Sequence, residues 1–146
     1  MTRWIHNPIM RKVQHLDLVC GWSYLVDTKM DLSVYTCETL VSLKLCNVSL
    51  PDFEYVSLPR LKIMHLKQNF YSNDALLENL ISSFPVLEDL TVIRNVGIER
   101  TVRFSRVRSQ SLKSLVLVLD GQGDVTYDRE VVIDAPRLKY LSLRDY

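Results

Sequence analysis

The sequence has few of the residues that mark special classes of protein. Its 146 residues include only 4 glycines, 5 prolines and 3 cysteines, with 47% apolar and 24% charged residues. Such a composition excludes collagen-like, low-complexity and disordered chains and is typical of an ordinary globular protein. The length fits a single domain, residues 1–146, with little room for a second.

Neither a strong charge nor a long apolar run is present. Eighteen Lys and Arg against 17 Asp and Glu give a net charge of +1, far from the basic excess that nucleic-acid binding requires. The longest apolar runs, such as residues 115–119, are about a quarter of the roughly 20 residues that cross a bilayer. We therefore expect no nucleic acid and no membrane as partners.

The cysteines do not form a metal-binding or disulfide pattern. Cys20, Cys37 and Cys46 are odd in number and lack Cys-x-x-Cys spacing, which argues against a zinc site and a disulfide framework. Free thiols indicate a reducing compartment, so we expect a cytoplasmic or nuclear protein. No motif for a cofactor is present, and we expect none.

One phrase recurs along the chain: an apolar residue, two others, an apolar residue, one other, and an apolar residue. Its copies begin at residues 13, 40, 61, 87, 112 and 138, with spacings of 27, 21, 26, 25 and 26. Leucine-rich repeats have a period of roughly 20–29 residues and the pattern L-x-x-L-x-L-x-x-N/C-x-L. The ninth position matches this pattern in part, for example at Asn69 and Asn95.

The phrase has the period-2 alternation of a short strand. We predict an irregular α/β leucine-rich-repeat solenoid of about six coils, whose strands form a parallel sheet on the concave face. Between the strands, residues 73–82 have the apolar spacing of an amphipathic helix. Residues 101–107 and 130–133 are rich in β-branched residues and are predicted to be extended.

Several segments resemble one family. Trp4-Ile5 followed by residues 11–18, together with Leu58-Pro59-Arg60-Leu61-Lys62, residues 84–90 and residues 133–141, are similar to the repeats of plant F-box/LRR proteins of the FBD type. The resemblance covers nearly the whole chain. It implies a protein-interaction module that presents a protein substrate to a cullin-RING (SCF-type) ubiquitin ligase, to which an F-box is joined through a Skp1-type adaptor.

The resemblance includes neither the F-box nor the FBD domain. The similarity starts almost at Met1 and continues to the last strand, so we expect the repeat region only. A Skp1-type adaptor is then a partner only if a longer product carries an F-box. The alternative is a stand-alone repeat protein, or a truncated product, without a ligase link. Both ends lack an evident polar cap, and we expect the isolated chain to self-associate.

An enzyme is a third, weaker hypothesis, and we predict a non-catalytic protein. A cysteine hydrolase would need Cys46 near a histidine such as His65, but the spacing brings no nucleophile, base and acid to a shared point. The sequence also lacks phosphate-binding and metalloprotease motifs.

The alternation predicts which side chains could bind a partner. Outward positions of six strands about 4.8 Å apart would cover one continuous surface. The candidate residues are Asp17, Lys44, Ile63, His65, Thr91, Ile93, Val116, Tyr140, Ser142 and Arg144.

Overall fold

The computed structural model describes residues 12–21, 32–50, 55–71, 74–95, 104–120 and 130–145. Within these ranges lie ten strands, one α-helix and a 3-10 helix at Leu32–Thr36. The strands are β1 His15–Val19, β2 Ser42–Cys46, β3 Ser49–Leu50, β4 Ile63–Lys67, β5 Phe70–Tyr71, β6 Asp89–Asn95, β7 Phe104–Arg108, β8 Ser114–Asp120, β9 Glu130–Asp134 and β10 Tyr140–Asp145. The helix α1 is Asp74–Ser82.

Every copy of the repeated phrase forms one strand of a single sheet. The strand order is β1-β2-β4-β6-β8-β10, and all neighbouring pairs are parallel. Each strand therefore neighbours the next copy of the phrase along the chain, as stacked coils require. The prediction of a leucine-rich-repeat solenoid with a parallel sheet on its concave face is confirmed.

A repeated backbone contact sets the register between neighbouring coils. The carbonyl of Gln14, at the second phrase position, accepts hydrogen bonds from the N–H groups of Val41 and Ser42. The second-position carbonyls of the next four copies also each accept two N–H groups from the following strand. These carbonyls belong to Val41, Lys62, Glu88 and Lys113. Because donors and acceptor are backbone groups, the contact does not depend on which side chain occupies that position, as long as the residue is not proline.

The inward phrase positions form a continuous core. Leu43, Met64, Leu90 and Leu115 are fully buried, and they share one cluster with apolar residues of α1 and with Val107 of β7. One coil has too little apolar surface to form such a core alone, so stacking is the source of stability.

The predicted coil number is slightly too high. All six copies form strands, but the structure amounts to about four turns, because the core closes only around β2, β4, β6 and β8. At the two ends, Leu16 and Leu18 are half-buried, while Leu141 and Leu143 are 48% and 53% exposed. Among the described residues, each terminal strand pairs with one neighbouring strand, and its leucines are partly uncovered.

The segments that return the chain from one strand to the next are mixed, as expected. Residues 74–82 form the predicted helix, and the predicted extended segments form β7 and β9, which pair in parallel. The Glu78 carboxylate on α1 accepts a hydrogen bond from the Arg106 N–H of β7 at 3.2 Å. The sequence did not indicate the two-residue strands β3 and β5, which also pair in parallel.

Candidate functional site

The strand register places the outward side chains in three rows across the sheet. We call the surface formed by these rows the open face. Residues at the same phrase position lie opposite one another on neighbouring strands, as Asp17, Lys44 and His65 do. The middle row is Asp17, Lys44, His65, Thr91, Val116 and Ser142. The first row is His15, Ser42, Ile63, Asp89, Ser114 and Tyr140, and the third is Val19, Cys46, Lys67, Ile93, Val118 and Arg144.

All ten candidate residues lie on the open face. Asp17, Lys44, Tyr140 and Arg144 are exposed, and the other six are half-buried. The second group is Ile63, His65, Thr91, Ile93, Val116 and Ser142. One outward residue outside this set differs from expectation, since Ser42 is buried; its short side chain lies between the longer His15 and Ile63 of the flanking strands. That the ten residues bind a partner stays a prediction.

The open face changes in character along the stack. Its first strands carry charged residues, with Asp17 and Lys44 directly opposed, and His65 Nε2 lies 3.8 Å from Asp89 Oδ1. Further along, β6 and β8 present four β-branched side chains in two opposed pairs, Thr91–Val116 and Ile93–Val118. We call these four residues the β-branched patch.

The β-branched patch has the properties of a protein-contact surface. Its side chains are half-buried and bracketed on both sides by strands of the same sheet, and β-branched side chains are stiff. Binding them therefore costs little side-chain entropy. Tyr140, which is 55% exposed, lies on β10, the strand next to β8. Tyrosine is one of the residues enriched among those that contribute most to binding in protein interfaces.

Two side-chain hydrogen bonds join neighbouring coils at the N-terminal ends of the strands, and the sequence did not predict either of them. The Thr39 hydroxyl donates to the Val13 carbonyl at 2.8 Å, and the Ser111 hydroxyl donates to the Leu87 carbonyl at 2.7 Å. Both hydroxyls directly precede a phrase, and both acceptors are the first phrase residue of the preceding coil. The available signal was the shared Cys/Ser-x-Thr/Ser pattern at residues 37–39 and 109–111.

At the C-terminal ends of β2 and β4, the chain continues through a residue in the left-handed backbone conformation. Asn47 and Gln68 occupy the same phrase position and have φ values of 57° and 51°. The next residue in the second of these coils, Asn69, is buried and bonds to the backbone of the preceding coil. Asn69 is a ninth-position residue that the sequence pattern had indicated, whereas the equivalent Val48 has no polar side chain.

A further contact that the sequence did not indicate lies behind this edge. The guanidinium of Arg94, which is buried at the end of β6, lies over the ring of Tyr71 with 4.8 Å to the ring centroid. The two residues belong to different coils, so this cation–π contact adds to the stacking. No sequence motif marks it, because the pairing depends on how the chain returns between strands.

Among the described residues, the histidines and cysteines are not arranged as in a nucleophilic site. The register places Cys46 opposite Lys67, while His65 is opposite Lys44 and lies near Asp89. Cys20, Cys37 and Cys46 are free thiols, and the Cys37 thiol lies 3.3 Å from the Thr39 hydroxyl. Within the described ranges, no cluster of three or more His, Cys, Asp or Glu side chains could hold a metal ion.

Comparisons with known proteins find leucine-rich-repeat sequences similar to this chain. A family model described as the LRR repeats of the FBD-associated F-box protein At5g56370 matches residues 1–146. The Arabidopsis thaliana F-box/FBD/LRR-repeat protein At5g22670 is 67% identical over 99% of this chain and 33% of its own length. F-box/FBD/LRR-repeat protein At5g22660 is 51% identical over 97% of the chain and 32% of its own length, and F-box/LRR-repeat protein 13 is 45% identical over 99% and 32%, both from Arabidopsis thaliana.

The chain spans about a third of the length of the curated relatives it matches. No solved structure matches it. Of the helices in the described part of the chain, none combines the length and apolar content needed to cross a membrane.

Proposed function

Since the chain belongs to the LRR-repeat family of FBD-associated F-box proteins, we propose that its open face binds a protein substrate for a cullin-RING ubiquitin ligase. The observation that carries the proposal is the register itself. Six strands place three rows of outward side chains on one surface, with the β-branched patch at its apolar part. Stacked repeats use such continuous surfaces to bind other proteins.

The energetic basis of the proposal lies in how the open face divides. The β-branched patch and Tyr140 would supply the apolar contact, where most of the affinity of protein interfaces resides. The charged residues of the first strands, with Lys44 and Asp17 opposed, would set orientation and exclude partners of the wrong charge. The pattern suits a folded protein or a long peptide, because the surface extends over six strands, about 24 Å from first to last.

The ligase role is the part of the proposal that depends on the family. The relatives are named F-box proteins, and an F-box joins a Skp1-type adaptor. In a polypeptide that carries both an F-box and these repeats, the open face would hold the substrate within reach of the ligase. Such an assembly works in the cytoplasm or the nucleus, and we place the protein there.

The alternative is a repeat-only binding protein without a ligase link, which would bind or compete for the same target through the same face. The two proposals differ in one measurable property. A ligase substrate accumulates when the proteasome is inhibited and falls when the F-box form is expressed. A target of a repeat-only protein keeps its level in both conditions.

The test is affinity enrichment from plant extract with the proteasome inhibited, with the whole chain as bait. A substrate bound by the open face should be recovered with the unchanged chain and lost with Lys44→Glu or Tyr140→Ala. Both positions are exposed, so neither change should unfold the chain. If both variants recover every protein that the unchanged chain recovers, the open face is not the binding surface.

A further inference from the structure

Positive charge lies beside the β-branched patch, and we infer that the open face binds an acidic segment of its substrate. A carboxylate of that segment contacts Lys44 and Lys67, and an apolar side chain two residues away lies on the patch. The inference rests on the proposed function, because it names the chemistry of the partner that the open face holds. It depends on the inner strands β2, β4, β6 and β8, each of which has a strand on both sides.

Two exposed lysines form the positive part of the face. Lys44 is on β2 and Lys67 is on β4, the next strand of the sheet. The register places Lys44 opposite His65 and Lys67 opposite Cys46, so the two lysines lie diagonally across one strand pair, about 8 Å apart at the backbone. Because a lysine ammonium group sits on a flexible four-carbon stem, both can reach one carboxylate between them.

The acidic residues near these lysines have other basic neighbours or are exposed to water. Asp89 Oδ1 lies 3.8 Å from His65 Nε2, and Glu88 Oε1 lies 3.3 Å from Lys113 Nζ. Asp17 is opposite one of the two lysines and is exposed. An exposed pair of opposite charges contributes little and is screened by salt. A carboxylate of a partner can therefore compete for the lysines.

The β-branched patch begins directly beside the lysines. Lys67 is opposite Ile93 on β6, which is opposite Val118 on β8. From β4 to the middle of β6 and β8 is one and a half strand spacings, about 7 Å. In an extended peptide, side chains two residues apart lie on the same side and are also about 7 Å apart. A segment that crosses the strands can therefore place its acidic side chain at the lysines and its apolar side chain on the patch.

The far side of the patch carries the opposite charge. Asp120, at the end of β8, continues the half-buried outward positions of that strand two residues after Val118. It is two strands away from Lys67. A carboxylate of the partner would be repelled beside Asp120 and attracted over β2 and β4. The face therefore selects the direction of the segment as well as its charge.

The type of cation favours a carboxylate over a phosphate group. Peptide phosphates are typically recognised by clusters of arginine, whose planar guanidinium groups hold two oxygens at once. The cations in the three rows of the four inner strands are the lysines Lys44 and Lys67.

The test selects ligands from a displayed library of random peptides, each long enough to cross the six strands, with the whole chain as the target. The comparison variant is Lys44→Glu/Lys67→Glu, which reverses both charges. The matched control is Arg60→Glu/Arg137→Glu, which changes the net charge equally at exposed positions outside the three rows. Circular dichroism verifies that each variant is folded.

We expect the unchanged chain and the control to select peptides with Asp or Glu two residues from an apolar residue. For a selected peptide, Lys44→Glu/Lys67→Glu should raise Kd at least about tenfold. Lys44→Arg/Lys67→Arg preserves both charges and should keep Kd within about threefold. Selected peptides without acidic residues, equal Kd values for the unchanged and charge-reversed chains, or a selection that yields no peptide would overturn the inference.

Enrichment from plant extract separates this inference from the proposed function. A substrate that is lost with Tyr140→Ala but retained with Lys44→Glu/Lys67→Glu leaves the open face as the binding surface and overturns the acidic segment. A substrate that is lost after phosphatase treatment of the extract assigns the negative charge to phosphate and overturns the carboxylate. Loss with both variants and retention after phosphatase treatment support the inference.

Discussion

The side chain of Asn69 joins its own coil to the preceding one, because its carbonyl oxygen accepts a hydrogen bond from the Val48 N–H at 2.8 Å. Its amide nitrogen also donates to the Leu45 carbonyl at 3.1 Å. Asn69 is buried, so both backbone groups are satisfied by one side chain where the strand ends. Without this side chain, both buried backbone groups would lose a hydrogen-bond partner, and Asn69 therefore stabilises the stack of coils.

We expect Asn69→Ala to lower the free energy of unfolding by about 1–3 kcal/mol, the cost of leaving buried hydrogen-bonding groups unsatisfied. Urea unfolding followed by circular dichroism measures it. The matched control is Asn79→Ala, at an exposed position of α1, where surface substitutions change stability by less than about 0.5 kcal/mol. Equal effects of the two substitutions would show that the Asn69 bridge contributes nothing.

The hydroxyls at the N-terminal edge of the sheet should matter in the same way. Thr39→Val and Ser111→Ala remove the donors to the Val13 and Leu87 carbonyls, and each should cost about 1 kcal/mol. Ser82→Ala is the control, because the exposed Ser82 hydroxyl bonds only within its own helix, to the Asn79 carbonyl. The comparison of unfolding midpoints decides the matter, and a larger loss for Ser82→Ala would contradict the structural account.

Truncating the same leucine of the phrase should cost more stability on an inner strand than on the terminal strand β10. Leu90 and Leu141 share a phrase position, but Leu90 is fully buried and Leu141 is 48% exposed. Leu90→Ala should therefore cost about 2–5 kcal/mol, the range for buried leucines. Leu141→Ala should cost less than about 1.5 kcal/mol, in proportion to its smaller burial. Similar losses of stability would show that Leu141 is as well buried as Leu90, contrary to the structure.

Alkaline pH should weaken the fold through Tyr35. Burial raises the pKa of the Tyr35 phenol above its usual value of 10.0, and nearby Tyr71 acts in the same direction. The folded state then holds this proton more tightly than the unfolded state, so the stabilisation is complete below pH 10 and is lost as pH rises beyond it. The unfolding free energy of the unchanged chain should fall more steeply above about pH 10 than that of Tyr35→Phe. Parallel curves would contradict the assignment.

Much of the fold could be predicted because its main signal is local. A phrase such as Leu61–Leu66 contains the alternation of its own strand, and equal phrase positions in successive copies predict the register. The open-face rows followed directly, including the opposition of Thr91 and Val116. The expected helix and the extended return segments also had local signals in their apolar spacing and β-branched residues.

Other features depend on contacts that no local pattern records. The pairing of β3 with β5 involves two residues in each strand, too few for a periodic signal. The stacking of Arg94 on Tyr71 depends on how two coils meet. The number of coils was slightly overestimated, since a phrase predicts a strand but does not show how completely its leucines, such as Leu141 and Leu143, are buried.

Two half-buried valines test most directly the proposal that the open face binds a protein substrate. Val116 lies in the β-branched patch, while Val132 is on β9 in the separate β7–β9 sheet, and both are half-buried. With the substrate recovered by enrichment, calorimetry should show that Val116→Lys raises Kd at least about tenfold, the effect of about 1.4 kcal/mol. Val132→Lys should leave Kd within about twofold. The reverse order, or equal effects, would contradict the account.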